Sequence, residues 1–194
     1  ARCGCESARS AARHRRPRPE SRPPDPPTCL EMAGSFKTEA IVLRSIRYGE
    51  ADRIVHLYSR EYGRIGAIAK GSRKPKSRFG GRLEPFFHLK LVLYRGRGDL
   101  STVTSAETLD GYGALRASAA GIRAAGDACG AVLKLLDGVE PNPPAYNLLV
   151  RYLGLIDSDP EGPAASLAGM LTFRLKLALA AGFAPELSSC ARCG

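Results

Sequence analysis

Apolar and polar side chains alternate in short runs from Phe36 onward, and each run ends at a turn. The first covers residues 36–44 and is closed by Tyr48-Gly49-Glu50. Residues 53–59 follow, with Val55 and Leu57 on one face and Ile54, His56 and Tyr58 on the other. Glu61-Tyr62-Gly63-Arg64 turns the chain into residues 65–70. After a long basic loop, residues 86–95 set Phe87, Leu89, Leu91 and Leu93 against His88, Lys90 and Tyr94. Gly96-Arg97-Gly98-Asp99 then leads into residues 100–106. A period of two marks strands with one buried face, and glycine-bearing breaks mark turns. Five such strands in about 70 residues suit a small closed barrel, and the long third connection points to an OB-fold.

Past Asp110-Gly111 the composition shifts to Ala, Leu and Gly at helical spacing. Residues 115–136 read as one helix with a core stripe of Ile122, Cys129, Val132, Leu133 and Leu136. Glu140-Pro141-Asn142-Pro143 is a helix start, with Asn142 as cap and Pro143 at the first helical position. Tyr146, Leu149, Val150, Leu153 and Ile156 continue that helix. A third covers residues 164–181 and stops at Gly182, with Pro185 just beyond. The expected class is α+β with several domains: an OB-fold barrel over residues 36–110, an all-helical domain over 111–188, and half of a zinc knuckle over 189–194.

Residues 1–35 are rich in Arg, Pro and Ser and show no structural period. Three readings compete: a basic disordered arm for nucleic acid, an organelle transit peptide whose prolines would break its helix, and a misplaced gene start. The last is preferred, with Met32 as the true start. Opening on Ala1 and closing on Gly194, the chain is expected to be a fragment of a reading frame.

The 194 residues are 44% hydrophobic and 25% charged, an ordinary globular balance. No apolar run approaches the roughly 18 residues of a membrane span. The net charge of +10 is unevenly spread. Residues 1–27 hold seven arginines against three acids, residues 28–110 fifteen basic residues against nine acids, and residues 111–194 seven of each. A polyanion is therefore expected to meet the N-terminal half. Six cysteines (Cys3, Cys5, Cys29, Cys129, Cys190 and Cys193) are too scattered for a disulfide scaffold. With no apolar core of a secretory signal, a reducing cytoplasm is expected.

The sharpest candidate site is KGSRKPKSRFGGR, residues 70–82, which places Lys70, Arg73, Lys74, Lys76, Arg78 and Arg82 in a run without an acid. Pro75 and Gly80-Gly81 make it a loop. Such a run attracts phosphates and releases their counterions, the basis of affinity that ignores sequence. Phe79 is placed to stack on an unpaired base, or else to tuck into the end of the barrel. Arg47 and Arg97 fall in the two loops that flank an OB-fold groove, and Arg53 and Arg64 border turns. Cys190-Ala191-Arg192-Cys193 has the spacing of half a zinc site, although a redox pair shares it. Cys129 reads as a core residue, and His56 and His88 as strand residues without a catalytic pattern around them. Glu50 and Asp52 are too isolated to hold the metal of a nuclease. The chain is not expected to be an enzyme.

Three segments carry a family resemblance: FKTEAIVLRSIRYGEADRIVHLYSREYGRIGAIAKGSRKPKSRFGGRLEPF, LYRGRGDLSTVTSAE and FRLKLALAAGFAPELSSCARCG. Together they resemble the RecO family of recombination mediators over residues 36–194, whereas residues 1–31 match nothing in it. The resemblance implies an OB-fold followed by a helical domain that binds single- and double-stranded DNA and anneals complementary strands. It also implies loading of the recombinase RecA on strands coated by single-stranded DNA-binding protein, with RecR as partner, at the bacterial nucleoid. By position Cys190 and Cys193 would be the first pair of zinc ligands, and the second pair would lie beyond this sequence. In the mechanism that follows, the basic loop holds phosphates and the neutral helices dock partners, including the tail of single-stranded DNA-binding protein. The rival readings are an OB-fold module for RNA and a scaffold that binds proteins without DNA.

Overall fold

A computed structural model gives the arrangement of residues 34–184, with Arg97, Asp137 and Val139 excepted. The five strands are β1 (Gly34–Tyr48), β2 (Asp52–Ser59), β3 (Gly63–Ala69), β4 (His88–Arg95) and β5 (Ser101–Asp110). They close into a barrel in the order β1-β2-β3-β5-β4, the order of an OB-fold. One long strand makes the closure possible. The first half of β1 pairs with β4, from Gly34 against Arg95 to Ile41 against His88. Its second half pairs with β2, from Ala40 against Ser59 to Tyr48 against Asp52. The other ladders are antiparallel except for β3 with β5, which meet parallel at Ala67–Ser101 and Ile68–Thr102.

The expected alternation holds. Val55, Leu57, Leu89, Leu91 and Leu93 are fully buried inside the barrel beside Ala40, Val42, Ala67 and Val103. Ordinary alternation sends Val42 into the barrel core and Ile41 and Leu43 out of it, and the pairing register slips between Val42 and Arg44. β1 runs on to Tyr48, beyond the expected end at Arg44, because residues 45–48 pair with β2 despite their polarity.

Helices follow: α1 (Gly113–Ala117), α2 (Ala119–Leu135), α3 (Pro143–Ser158) and α4 (Leu167–Ala180), with a 3-10 turn at Pro163–Ala165. The single helix expected over residues 115–136 is in fact α1 and α2. Ser118 adopts an extended conformation between them, and its hydroxyl accepts from the Gly121 amide at 3.3 Å. A Cβ on Gly121 would lie 2.6 Å from the Leu115 carbonyl oxygen, so this corner requires glycine. The break also sets the phase of α2. Ile122, expected in the core, is 45% exposed, and the buried stripe is Ala124, Ala125, Ala128, Cys129 and Val132. Leu133 and Leu136 are only partly buried.

α3 begins as expected. Asn142 Oδ1 accepts from the Ala145 amide at 3.0 Å, while its Nδ2 donates to the Ala180 carbonyl at 2.9 Å and ties the start of α3 to the end of α4. Tyr146, Leu149, Leu153 and Ile156 are buried. α4 starts later than expected because the 3-10 turn precedes it and Ser166 caps it. It ends where Gly182 takes φ +87, with Phe183 N–H reaching the Ala178 carbonyl at 2.9 Å.

The helical core also takes in the barrel wall: Ile41, Leu43 and Tyr58 are buried in the same cluster as Leu115, Tyr146, Leu153 and Phe173. At this junction His88 Nε2 and the Tyr146 hydroxyl share a hydrogen bond of 2.8 Å, and Arg64 donates to the Leu133 carbonyl at 3.3 Å. Burial lowers the His88 pKa from its ordinary 6.5, against the opposing pull of Glu39 and Asp110. His56 is lowered too, by burial and by Arg64 and Arg44.

As pH falls below 6.5, the unfolded chain therefore takes up protons before the folded one, and stability is expected to decline. His88→Gln is expected to make that decline shallower in urea unfolding followed from about pH 8 to 5. Equal slopes in the two proteins would show that His88 is not its source.

Candidate nucleic-acid interface

The connection from β3 to β4 is built from consecutive tight turns. Backbone bonds run from Lys74 to Gly71, Ser77 to Lys74, Gly80 to Ser77, Arg82 to Phe79 and Glu84 to Gly81, all between 2.9 and 3.3 Å. Gly71 and Gly80 take φ of +67 and +54, conformations that glycine supplies without strain. The loop is fastened to the β1–β2 hairpin. Gly71 N–H donates to Asp52 Oδ1 at 2.7 Å, and Arg73 N–H to the Ala51 carbonyl at 2.9 Å. The Arg73 guanidinium reaches the Gly49 carbonyl at 3.3 Å.

Its apolar residues point inward. Phe79 is 1% exposed and Leu83 is 2% exposed, both in the barrel core. Phe79 is therefore unavailable for stacking on a base, which corrects that part of the expected site. The ring is needed to fill the end of the barrel, and Arg78 lies over it at 4.9 Å. Glu84 takes ion pairs from Arg53 and Arg116, each at 3.6 Å, and Arg116 also covers the Phe87 ring at 4.1 Å. Arg53 and Arg64 are thus structural, the latter bonded to the helices.

What remains outside is cationic. Lys70, Arg73, Lys74, Lys76, Arg78 and Arg82 are all exposed. Among the described residues no carboxylate pairs with any of them. Arg47, expected in the loop after the first strand, is instead part of β1, exposed and paired in register with Arg53, because the strand runs on to Tyr48. Salt screens such charges over about 8 Å at physiological ionic strength, so they act on groups that touch them.

Two stretches of the chain match known families: residues 32–112 match Recombination protein O N terminal, and residues 124–194 match Recombination protein O C terminal. The chain belongs to the RecO family. Among its relatives, the DNA repair protein RecO of Rubrobacter xylanophilus is 45% identical over 161 residues, covering 82% of this chain and 62% of that protein. The DNA repair protein RecO of Anaeromyxobacter dehalogenans (strain 2CP-C) is 42% identical over 159 residues, 81% of this chain and 61% of its own length. That of Myxococcus xanthus is 36% identical over 159 residues, 82% and 64%. The chain thus spans less than two thirds of the length of these RecO proteins.

Three residues singled out in this RecO-family sequence, Arg97, Cys190 and Cys193, lie outside the described residues. Among the described residues, no group of three or more His, Cys, Asp or Glu could hold a metal ion, and no helix is long and apolar enough to cross a membrane. Cys129 is fully enclosed, and burial pushes its thiol up to about 12, as expected of a core residue. One feature had no sequence signal. A groove of about 800 Å³ runs between α3 and α4, lined by Leu148, Arg151, Tyr152, Leu155, Phe173 and Lys176 among others. It arises from tertiary packing, with Tyr152 stacked on Phe173 at 4.5 Å.

Phe79→Ala is expected to cost about 3–5 kcal/mol in urea unfolding, the range for an emptied aromatic site, and Phe79→Leu distinctly less. A near-neutral Phe79→Ala would mean that the ring is not part of the core.

Proposed function

We propose that this chain is a non-catalytic recombination mediator of DNA repair. It binds single- and double-stranded DNA, anneals complementary strands and, with RecR, helps load RecA on strands coated by single-stranded DNA-binding protein. One observation carries this reading: a RecO-family barrel presents six exposed cations, free of carboxylate partners among the described residues, on a loop pinned by buried Phe79 and Leu83. Contacts to phosphate release counterions whatever the bases are, which suits a protein that handles any sequence. Neutralising one strand also weakens the repulsion that a second strand meets on approach. No step requires a nucleophile or a metal, and the site of action is the nucleoid in the bacterial cytoplasm.

The helical half is the proposed dock for protein partners. The α3–α4 groove is largely apolar, and its lining holds Arg151 and Lys176 against the single acid Asp159. That suits a peptide tail with both carboxylates and apolar side chains, and the tail of single-stranded DNA-binding protein is the proposed occupant. Arg151→Glu with Lys176→Glu is expected to weaken capture of that tail peptide at least about tenfold, a change of roughly 1.4 kcal/mol. Unchanged capture would put the dock elsewhere.

DNA binding is tested by anisotropy of a labelled single strand across a salt series, with Arg73, Lys74, Lys76 and Arg78 changed to Ala in a second protein. Each phosphate contact to a single strand contributes about −0.7 to the slope of log affinity on log salt, so losing four should flatten it by roughly 3. An unchanged slope would move the site off this loop. Absence of binding by either protein would favour a protein-docking scaffold, and preference for matched RNA a translation-type module.

A further inference from the structure

With Phe79 buried, the cationic loop has no aromatic face of its own to offer. Exposed aromatic rings do occur on the barrel. Among the described residues Tyr48 is 54% exposed and Tyr94 is 46% exposed. The pairing register shows what lies between them. Ile46 is opposite Ile54, Ile54 opposite Ile68, Ile68 opposite Thr102, and Thr102 opposite Tyr94. All five fall on the outer parity of their strands, since Val55, Ala67, Val103 and Leu93, their chain neighbours, are buried inside. They form one row that crosses every strand of the barrel. Tyr48 stands two residues beyond Ile46 on the same face of β1, about 6.6 Å along the strand.

We infer that this row is a second part of the nucleic-acid site, one that takes unpaired bases: Tyr48 and Tyr94 stack on bases at its two ends, and Ile46, Ile54 and Ile68 form an apolar floor between them. The inference rests on the reading of the chain as a DNA-binding protein. Its occupant follows from charge and chemistry. Tyr48 leads into the hairpin turn whose backbone holds Arg73, so a base on its ring would bring the adjoining phosphates to the cations of the loop. Arg44 lies exposed in the next row, opposite His56. Glu50 and Asp99 stand in the flanking turns, and Asp52 is engaged by the Gly71 amide. An apolar surface beside a cationic loop suits a polymer of anionic backbone and flat, apolar-faced bases, and a duplex hides those faces. The loop therefore holds phosphates of either form, while the row selects single strands.

The chain contains no Trp, so one introduced at position 48 or 94 reports its own surroundings alone. The full chain carrying Tyr48→Trp or Tyr94→Trp is titrated with an oligothymidylate and with a hairpin duplex, each also followed by anisotropy. Expected is quenching of the Trp emission by the single strand, with the same midpoint as the anisotropy, and duplex binding without quenching. Tyr48→Ala with Tyr94→Ala is expected to weaken single-strand binding about tenfold or more, since each stacked base contributes about 1–3 kcal/mol. Duplex binding should be unchanged. Anisotropy that rises without quenching, or equal losses for both forms, would overturn the row as a base site and leave the DNA-binding reading intact. No rise in anisotropy with either probe would overturn both.

Discussion

Ile41, Leu43 and Tyr58 leave the barrel wall and are buried among the helices, and barrel and helices are joined through that shared core. Each apolar side chain so buried contributes about 1.5–3 kcal/mol. Without helices over them these residues would form an apolar patch on a sheet that has already closed on itself. The backbone accommodates them at one place. Val42 N–H donates to the Phe87 carbonyl at 2.9 Å and Phe86 N–H to the Val42 carbonyl at 2.8 Å. On both sides of this pair, neighbouring residues part company. Val42 and Phe87 pack with the barrel, whereas Leu43 and Phe86 pack with the helices. Phe86 takes φ +74 to do so, a conformation that costs about 1–3 kcal/mol for a bulky residue. Filling two cores from one ladder offsets it.

The basic loop follows the same logic of opposite sides. Phe79 and Leu83 go into the barrel, so the cations between and before them face out. Glu84 bridges one arginine of the barrel and one of the helices, Arg53 and Arg116, and leaves the loop's own cations alone. A count of basic residues along the chain cannot make this distinction. Arg53 and Arg64 look like their neighbours in sequence, yet one is held by Glu84 and the other by a helix carbonyl.

Much of this was legible in the sequence because period-two alternation is a property of neighbours. Leu89, Leu91 and Leu93 declare a strand wherever it packs, and Asn142-Pro143 declares a helix start by its own local bonds. Failures came where a distant partner decides. Ser118 is tolerable inside a helix, and only the close approach of Gly121 to the Leu115 carbonyl makes it a break. Ile122 outranks Ala124 and Ala128 in hydrophobicity, yet the tight packing of α2 selects the small residues. β4 begins at His88 and not at Phe86, because the left-handed turn at Phe86 interrupts the strand. The row from Ile46 to Tyr94 is invisible along the chain, since only the barrel's register assembles it.

The barrel is not equally strong all the way round. Four of its ladders are antiparallel and long, whereas β3 and β5 meet at two parallel positions, Ala67–Ser101 and Ile68–Thr102. These strands are separated in the chain by β4 and both of its loops, so a long loop closure is set against only two ladder positions, and the seam is expected to form after the hairpins. The seam is therefore the place where opening is expected first, and parting there would turn the cylinder into an open, curved sheet with two free edges. A polymer lying across Ile68 and Thr102 would bridge those edges like a stitch, making the ligand itself part of what keeps the barrel shut.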